Sequence, residues 1–192
     1  EFYLPDEVKN HFKIRFPKLV EMSKEWKSSV KKARLDQNFD HYWKMLFENA
    51  NPDIEYPVFD DNVALATRKA FGVTLDKFSE QITNIVGGSA DLEPSNYTGN
   101  FAQKYGDFSK ENRLGRNLAF GVREFPMAAA MNGIALHGGL IPFGGTFLVF
   151  ADYERPALRL ASIQKCGVIH EFTHDSFWAV SYTHLRAHET HE

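Results

Sequence analysis

Cysteine is almost missing from the 192 residues: Cys166 is the only one, so no disulfide can form within the chain. A reducing compartment, the cytoplasm, is therefore the expected location. Cys166 lies in Lys165-Cys166-Gly167, where a helix should end before an apolar strand, and it reads as a small packing residue rather than a nucleophile. Long apolar runs are missing too, and nothing nears the ~18 residues of a membrane-spanning helix. No charged-then-apolar signal segment opens the chain. It begins Glu1-Phe2-Tyr3 without an initiator methionine, as expected of an excised segment. Excess charge of one sign is also lacking, since 22 Lys and Arg against 25 Asp and Glu leave a formal net charge of -3. Nothing in that balance calls for nucleic acid or an anionic membrane as partner. The one basic cluster, Lys24, Lys27, Lys31, Lys32 and Arg34, reads as a solvated helix face. What remains, 43% hydrophobic and 24% charged residues, is ordinary globular composition. The length allows one full α/β domain and part of another.

Three textures follow one another. Residues 1–57 are helical in pattern and read as the end of one domain running into a linker. Asp6 should cap a helix carrying Val8 and Phe12, and Pro17 should interrupt it before Leu19, Met22, Trp26 and Val30 resume the spacing. A second helix is expected over Phe39 to Phe47, before the breakers Asn51-Pro52-Asp53 and Tyr56-Pro57. Residues 58–176 alternate helices with short apolar strands, the pattern of an α/β domain with a parallel sheet. Asp60 or Asp61 should cap a helix through Arg68 and Phe71, and Thr74 should start another bearing Leu75, Phe78 and Ile82. Strands are expected at Ile85-Val86, at Leu118 to Val122 and at Val168 to Phe172. Each runs into polar residues: Gly87 to Asp91, Arg123-Glu124, and Thr173-His174-Asp175-Ser176. Ligands of open parallel sheets bind at that strand edge. Between the last two strands, Met127 to His137 is a helix rich in Ala and Gly, suited to close packing on a sheet. Residues 177–192 lose both periodicity and apolar content, resemble translated adapter DNA, and are expected to be a foreign tail.

Taken singly, the candidate residues have bland readings. Glu124 could cap the helix after it, and Asp91 could cap a turn. Phe147, Phe150 and Tyr153 fall at i, i+3 and i+6, one face if that stretch is helical, and such a stripe is more often core. Arg68, Ser95 and His174 are a helix arginine, a turn serine after proline and a strand-end histidine. His184, His188 and His191 share a helical face and could chelate zinc or copper, but they lie in the expected tail.

Four ordered motifs change that weighting. Gly87-Gly88-Ser89-Ala90-Asp91-Leu92 is followed by Pro94-Ser95-Asn96, and Gly121-Val122-Arg123-Glu124-Phe125 by Met131-Asn132-Gly133 through Gly138-Gly139. Gly144-Gly145-Thr146-Phe147-Leu148 leads to Phe150 and Tyr153, and Thr173-His174-Asp175-Ser176 closes the set. In order and spacing they resemble the transketolase family. The resemblance implies a thiamine-diphosphate enzyme that transfers a two-carbon ketol unit between sugar phosphates. It makes Glu124 the catalytic carboxylate that bonds the aminopyrimidine ring and favours its imino tautomer. It gives Asp91, Phe147, Phe150 and Tyr153 to the cofactor, and Arg68, Ser95 and His174 to the substrate phosphate, a mixed donor set suited to a dianion. Nothing resembles the family's glycine-aspartate-glycine and asparagine motif, so no metal ligand is expected here. Mg2+ or Ca2+ would be held by the diphosphate-binding domain. In the family that domain comes from the partner subunit of a homodimer, so this chain is expected to be a fragment supplying one half of a shared site. Dihydroxyacetone synthase is the nearest alternative; deoxyxylulose-phosphate synthase and pyruvate dehydrogenase fit less well. A non-catalytic relative is the alternative outside enzymes.

Overall fold

A computed structural model describes residues 3–48 and 53–174. The chain divides into two compact units, 1–50 and 51–192.

The first unit holds α1 (Asp6–Ala33) and α2 (Gln37–Phe47). Pro17 does not interrupt α1, which runs through it for 28 residues. An interior proline costs ~3 kcal/mol, a local penalty that the rest of a long helix outweighs. Asp6 does not cap α1 either: Pro5 stands at the cap, and Asp6 lies in the first turn, paired with Lys9 at 3.1 Å. Asp36 does cap α2, accepting from the Phe39 N–H at 2.9 Å. The Trp43 ring lies 6.3 Å from that of Trp26 and 4.7 Å from that of Phe47, and Arg34 pairs with Asp40 and Glu48 at 2.6 Å each.

The second unit opens with one helix where two are expected, α3 (Thr67–Gln81). Thr74 starts nothing; its hydroxyl donates to the Ala70 carbonyl at 2.8 Å, one turn back inside the same helix. Asp60 instead closes a local turn, accepting from the Asn62 N–H at 2.9 Å. There follow β1 (Ile85–Ser89), α4 (Glu93–Asn96), α5 (Gly99–Tyr105), α6 (Glu124–His137) and β2 (Ile141–Phe147). After a 3₁₀ turn, Leu148–Phe150, come α7 (Ala151–Gln164) and β3 (Ile169–Thr173). Among the described residues the strands form one parallel sheet in the order β1-β2-β3, with Ser89 opposite Gly145 and Gly145 opposite Glu171. The parallel-sheet α/β fold read from the sequence is therefore the fold found.

Its middle strand is not the expected one. Leu118 to Val122 forms no strand: the chain touches β1 through an isolated bridge from Asn117 to Gly87 and a Leu118 N–H to Gly87 carbonyl bond of 2.9 Å, then turns away. The strand between β1 and β3 is β2, disguised by Pro142, Gly144 and Gly145, residues that normally argue against a strand interior. Here the glycines admit neighbours. A Cβ on Gly144 would lie 2.5 Å from the Met131 sulfur and 2.9 Å from that of Met127, so α6 rests directly on the sheet. On that face α6 also binds α7, the Asn132 amide donating to the Ala157 carbonyl at 2.8 Å. The opposite face carries the larger core: Leu75, Ile85, Phe101 and Phe143 are buried, with Phe71, Phe78 and Tyr105 packed around them.

One residue unremarked in the sequence ties α3 to β1. Arg116 donates to the carbonyls of Ile85 (2.8 Å), Ser79 (3.0 Å) and Ile82 (3.1 Å), and its guanidinium lies 3.9 Å from the Tyr105 ring centroid. Arg116→Ala takes a donor from three carbonyls, of which Ile82 keeps another, the Ile85 N–H at 3.3 Å, and should cost about 2–4 kcal/mol in urea unfolding. Arg116→Lys should recover less than half, because an ammonium cannot reproduce the planar fork. A loss below ~0.5 kcal/mol, the level of an ordinary surface change, would make the cluster ornamental.

Candidate active site

All strands are parallel, so their C-terminal ends form one edge. The start of α6 belongs to that edge as well: its end, His137, lies only a short connection before β2 begins, and Asn84 before β1 donates to Gly139 before β2 at 3.1 Å.

At the end of β1 the chain turns through Asp91, which takes φ +64, a conformation aspartate tolerates better than most residues. The turn is pinned on both sides. Ala90 N–H donates to the Gly145 carbonyl at 3.0 Å, and Leu92 N–H donates to the Ser89 hydroxyl at 2.9 Å. Asp91 itself is exposed. Glu124 is delivered differently. Gly121, at φ +67, lets the chain double back, and the Arg123 guanidinium closes the turn on the Phe120 carbonyl at 2.9 Å. Glu124 is then the first residue of α6 and only 9% exposed, while Val122 and Phe125 are 73% and 45% exposed. The chain here exposes apolar residues and buries a carboxylate, the reverse of the usual order.

Phe147, Phe150 and Tyr153 do not lie on one helical face. Phe147 ends β2, Phe150 ends the 3₁₀ turn, and Tyr153 is in the first turn of α7. They still form a row: Phe147 and Phe150 stack at 5.7 Å and 20°, and Tyr153 follows Phe150 at 6.2 Å. His174, just past β3, sets its ring against Phe147 at 5.0 Å in an edge-on contact. Arg68 reaches from α3 to the Ser95 carbonyl at 3.3 Å and lies over the Tyr97 ring at 5.5 Å. The fold thus joins Arg68 to Ser95, and His174 to the aromatic row. Asp91 and Glu124 are each held on their own turn at the same edge.

The sequence reading passed over the polar residues beneath. Ser89, Asn96 and Thr173 are buried and bonded in series, and all three stand inside the quoted motifs, where they could have been noticed. It also passed over two buried carboxylates. Glu154 on α7 is fully buried and pairs with His170 at 3.1 Å. Glu171 is buried in β3, and burial pushes its carboxyl up to about 8. Among the described residues no group of three or more His, Cys, Asp or Glu could hold a metal ion, and no helix is long and apolar enough to cross a membrane. Asp175, Ser176, the expected tail and its histidines lie outside the described residues.

The family model for the transketolase pyrimidine-binding domain matches residues 63–180. The chain belongs to the transketolase family. It is 41% identical to the transketolase of Bacillus subtilis over 92% of its own length and 27% of that protein, so it spans about a quarter of the relatives it matches. Solved structures agree. A transketolase from Leishmania mexicana superposes with a TM-score of 0.80 at 36% identity, over 91% of this chain and 26% of that one. One from Pichia stipitis in complex with xylulose 5-phosphate gives 0.78 at 31%, over 92% and 27%.

The transketolase family implies thiamine diphosphate, and the residues at this edge suit its pyrimidine ring. A flat aromatic heterocycle needs stacking surface and exclusion of water, for which the Phe147–Phe150 pair is available. A ring nitrogen can pair with a carboxyl group, and Glu124 is a buried carboxyl side chain at that edge.

Proposed function

We propose that this chain supplies the pyrimidine-binding half of a transketolase active site, in an enzyme that moves a two-carbon ketol unit from a ketose phosphate to an aldose phosphate. The observation that carries the reading is the contact of His174 with Phe147, which supports it because one is proposed for the substrate and the other for the cofactor. Phe147 and Phe150 would stack on the aminopyrimidine, with Tyr153 beside them, and Asp91 would approach it from the β1 turn. Glu124 would bond a ring nitrogen through its carboxyl and pass a proton there. When bound, thiamine diphosphate supplies the electron sink for carbon–carbon cleavage. The diphosphate and its Mg2+ or Ca2+ would be held by a diphosphate-binding domain of a partner subunit, in a cytoplasmic homodimer.

Arg68, Ser95 and His174 would hold the sugar phosphate, far from the reacting carbon. Arg68→Ala, in a full-length transketolase carrying this chain as its pyrimidine-binding segment, should cost roughly 1.5–3 kcal/mol, or about one to two decades in kcat/KM. The loss should fall on phosphorylated acceptors and largely spare an unphosphorylated one such as glycolaldehyde. Equal losses for both would return Arg68 to a structural role.

A further inference from the structure

The phosphate set is drawn from three separated segments, and something must hold them in register. Asn96 is completely buried, and its carboxamide is used at both ends. Its Oδ1 accepts from the Ser89 hydroxyl at 2.7 Å, at the end of β1, and its Nδ2 donates to the Thr173 hydroxyl at 3.0 Å, at the end of β3. These strands are not neighbours, because β2 runs between them. Asn96 crosses β2 over Gly145, where an added Cβ would come within 3.3 Å of the asparagine Cβ and Cγ. The Thr173 hydroxyl in turn faces the Thr146 carbonyl at 3.4 Å.

The middle of this bridge and its β3 end each adjoin a residue of the phosphate set. Ser95, whose carbonyl holds Arg68, precedes Asn96, and Tyr97, whose ring underlies the Arg68 guanidinium, follows it. His174 follows Thr173. We propose that Asn96 is a positioning residue: its buried carboxamide, strung between Ser89 and Thr173, sets the separation of the Arg68–Ser95 pair from His174 and so tunes affinity for a phosphorylated substrate. This rests on the assignment of those three residues to phosphate. A bonded bridge suits the task better than apolar packing would. Once buried, the amide and both hydroxyls are costly to leave unpaired, so the geometry that pairs them is held in preference to neighbouring ones.

The test uses a full-length transketolase carrying this chain, with a phosphorylated aldose and glycolaldehyde as paired acceptors. Thr173→Val keeps the shape and removes the hydroxyl, whereas Thr173→Ser keeps the hydroxyl. Asn96→Ala removes the bridge outright, and Arg68→Ala reports on the phosphate assignment itself. Thr173→Val and Asn96→Ala should raise KM for the phosphorylated acceptor roughly tenfold more than for glycolaldehyde, a size typical of sub-ångström misplacement. They should also weaken competitive inhibition by inorganic phosphate to the same degree, and Thr173→Ser should restore both. Because Thr173→Val and Thr173→Ser differ at one buried group, that comparison stands even if Asn96→Ala fails to fold. If Arg68→Ala discriminates between acceptors but the Thr173→Val and Thr173→Ser enzymes behave alike, the bridge is structural only and the inference is overturned. If Arg68→Ala does not discriminate, the phosphate assignment falls first and takes the inference with it.

Discussion

Glu124→Gln, in a full-length transketolase carrying this segment, is expected to lower kcat by about 10²–10⁴-fold, the span usual for loss of a proton-transferring side chain. Unfolding free energy should stay within ~0.5 kcal/mol of the parent. The substitution isolates one property. Glutamine fills the same volume at the start of α6, where the side chain is 9% exposed, and it can still hydrogen-bond. It cannot give up and recover a proton. If Glu124 only starts a helix, glutamine should serve nearly as well, because nothing about the Gly121–Arg123 turn depends on its charge. Exchange of the thiazolium proton, followed by NMR in the loaded enzyme, separates this step from substrate binding. Exchange at the parent rate in Glu124→Gln would make the residue structural and remove the central assignment.

The placement of Glu124 was legible in the sequence because its surroundings are local. A glycine turn, an arginine and a glutamate before an Ala-rich helix are consecutive, and the turn closes within that short stretch. The fold class was legible for the same reason, since β1 and β3 run into polar residues, as strands do at the ligand edge of a parallel sheet. Reading failed where a residue's role depends on distant chain. Leu118 to Val122 has the apolar content of a strand but only an isolated bridge at Asn117 to pair with. β2 has the pairing of a central strand but, at Pro142, Gly144 and Gly145, the residues of a loop, because Met127, Met131 and Asn96 occupy the space its side chains would fill. Thr74 has a capping side chain, yet the chain before it was already helical. The Arg116 contacts and the Asn96–Thr173 bond could not be read because those partners lie 31 to 37 and 77 positions away in the chain, whereas Ser89, the other partner of Asn96, is only 7 away.

Glu171→Gln should largely abolish a fall in stability that the parent chain is expected to show between pH 5 and pH 8. The Glu171 side chain is buried in β3, its Oε2 only 2.7 Å from where a Gly145 Cβ would stand, and burial raises its carboxyl from 4.5 to about 8. Below pH 4.5 the group is neutral in both the folded and the unfolded chain and contributes no pH dependence. As pH rises past 4.5 the unfolded chain releases the proton while the folded chain keeps it, so unfolding becomes progressively easier. The penalty stops growing once pH passes about 8, where the folded chain releases its proton as well. Between pH 5 and pH 8 the loss should reach about 3 kcal/mol. The carboxylates with lowered values, Asp40, Glu55, Asp60 and Glu80, act in the opposite sense and finish titrating on the acid side of this window. Glutamine has the size of the protonated acid and no proton to lose, so Glu171→Gln should match the parent near pH 5 and exceed it increasingly toward pH 8. Urea unfolding of the two chains at half-unit intervals of pH measures the difference directly. Parallel curves would mean that Glu171 reaches solvent or a counter-charge when it ionises, and that the strand accommodates the charge without cost.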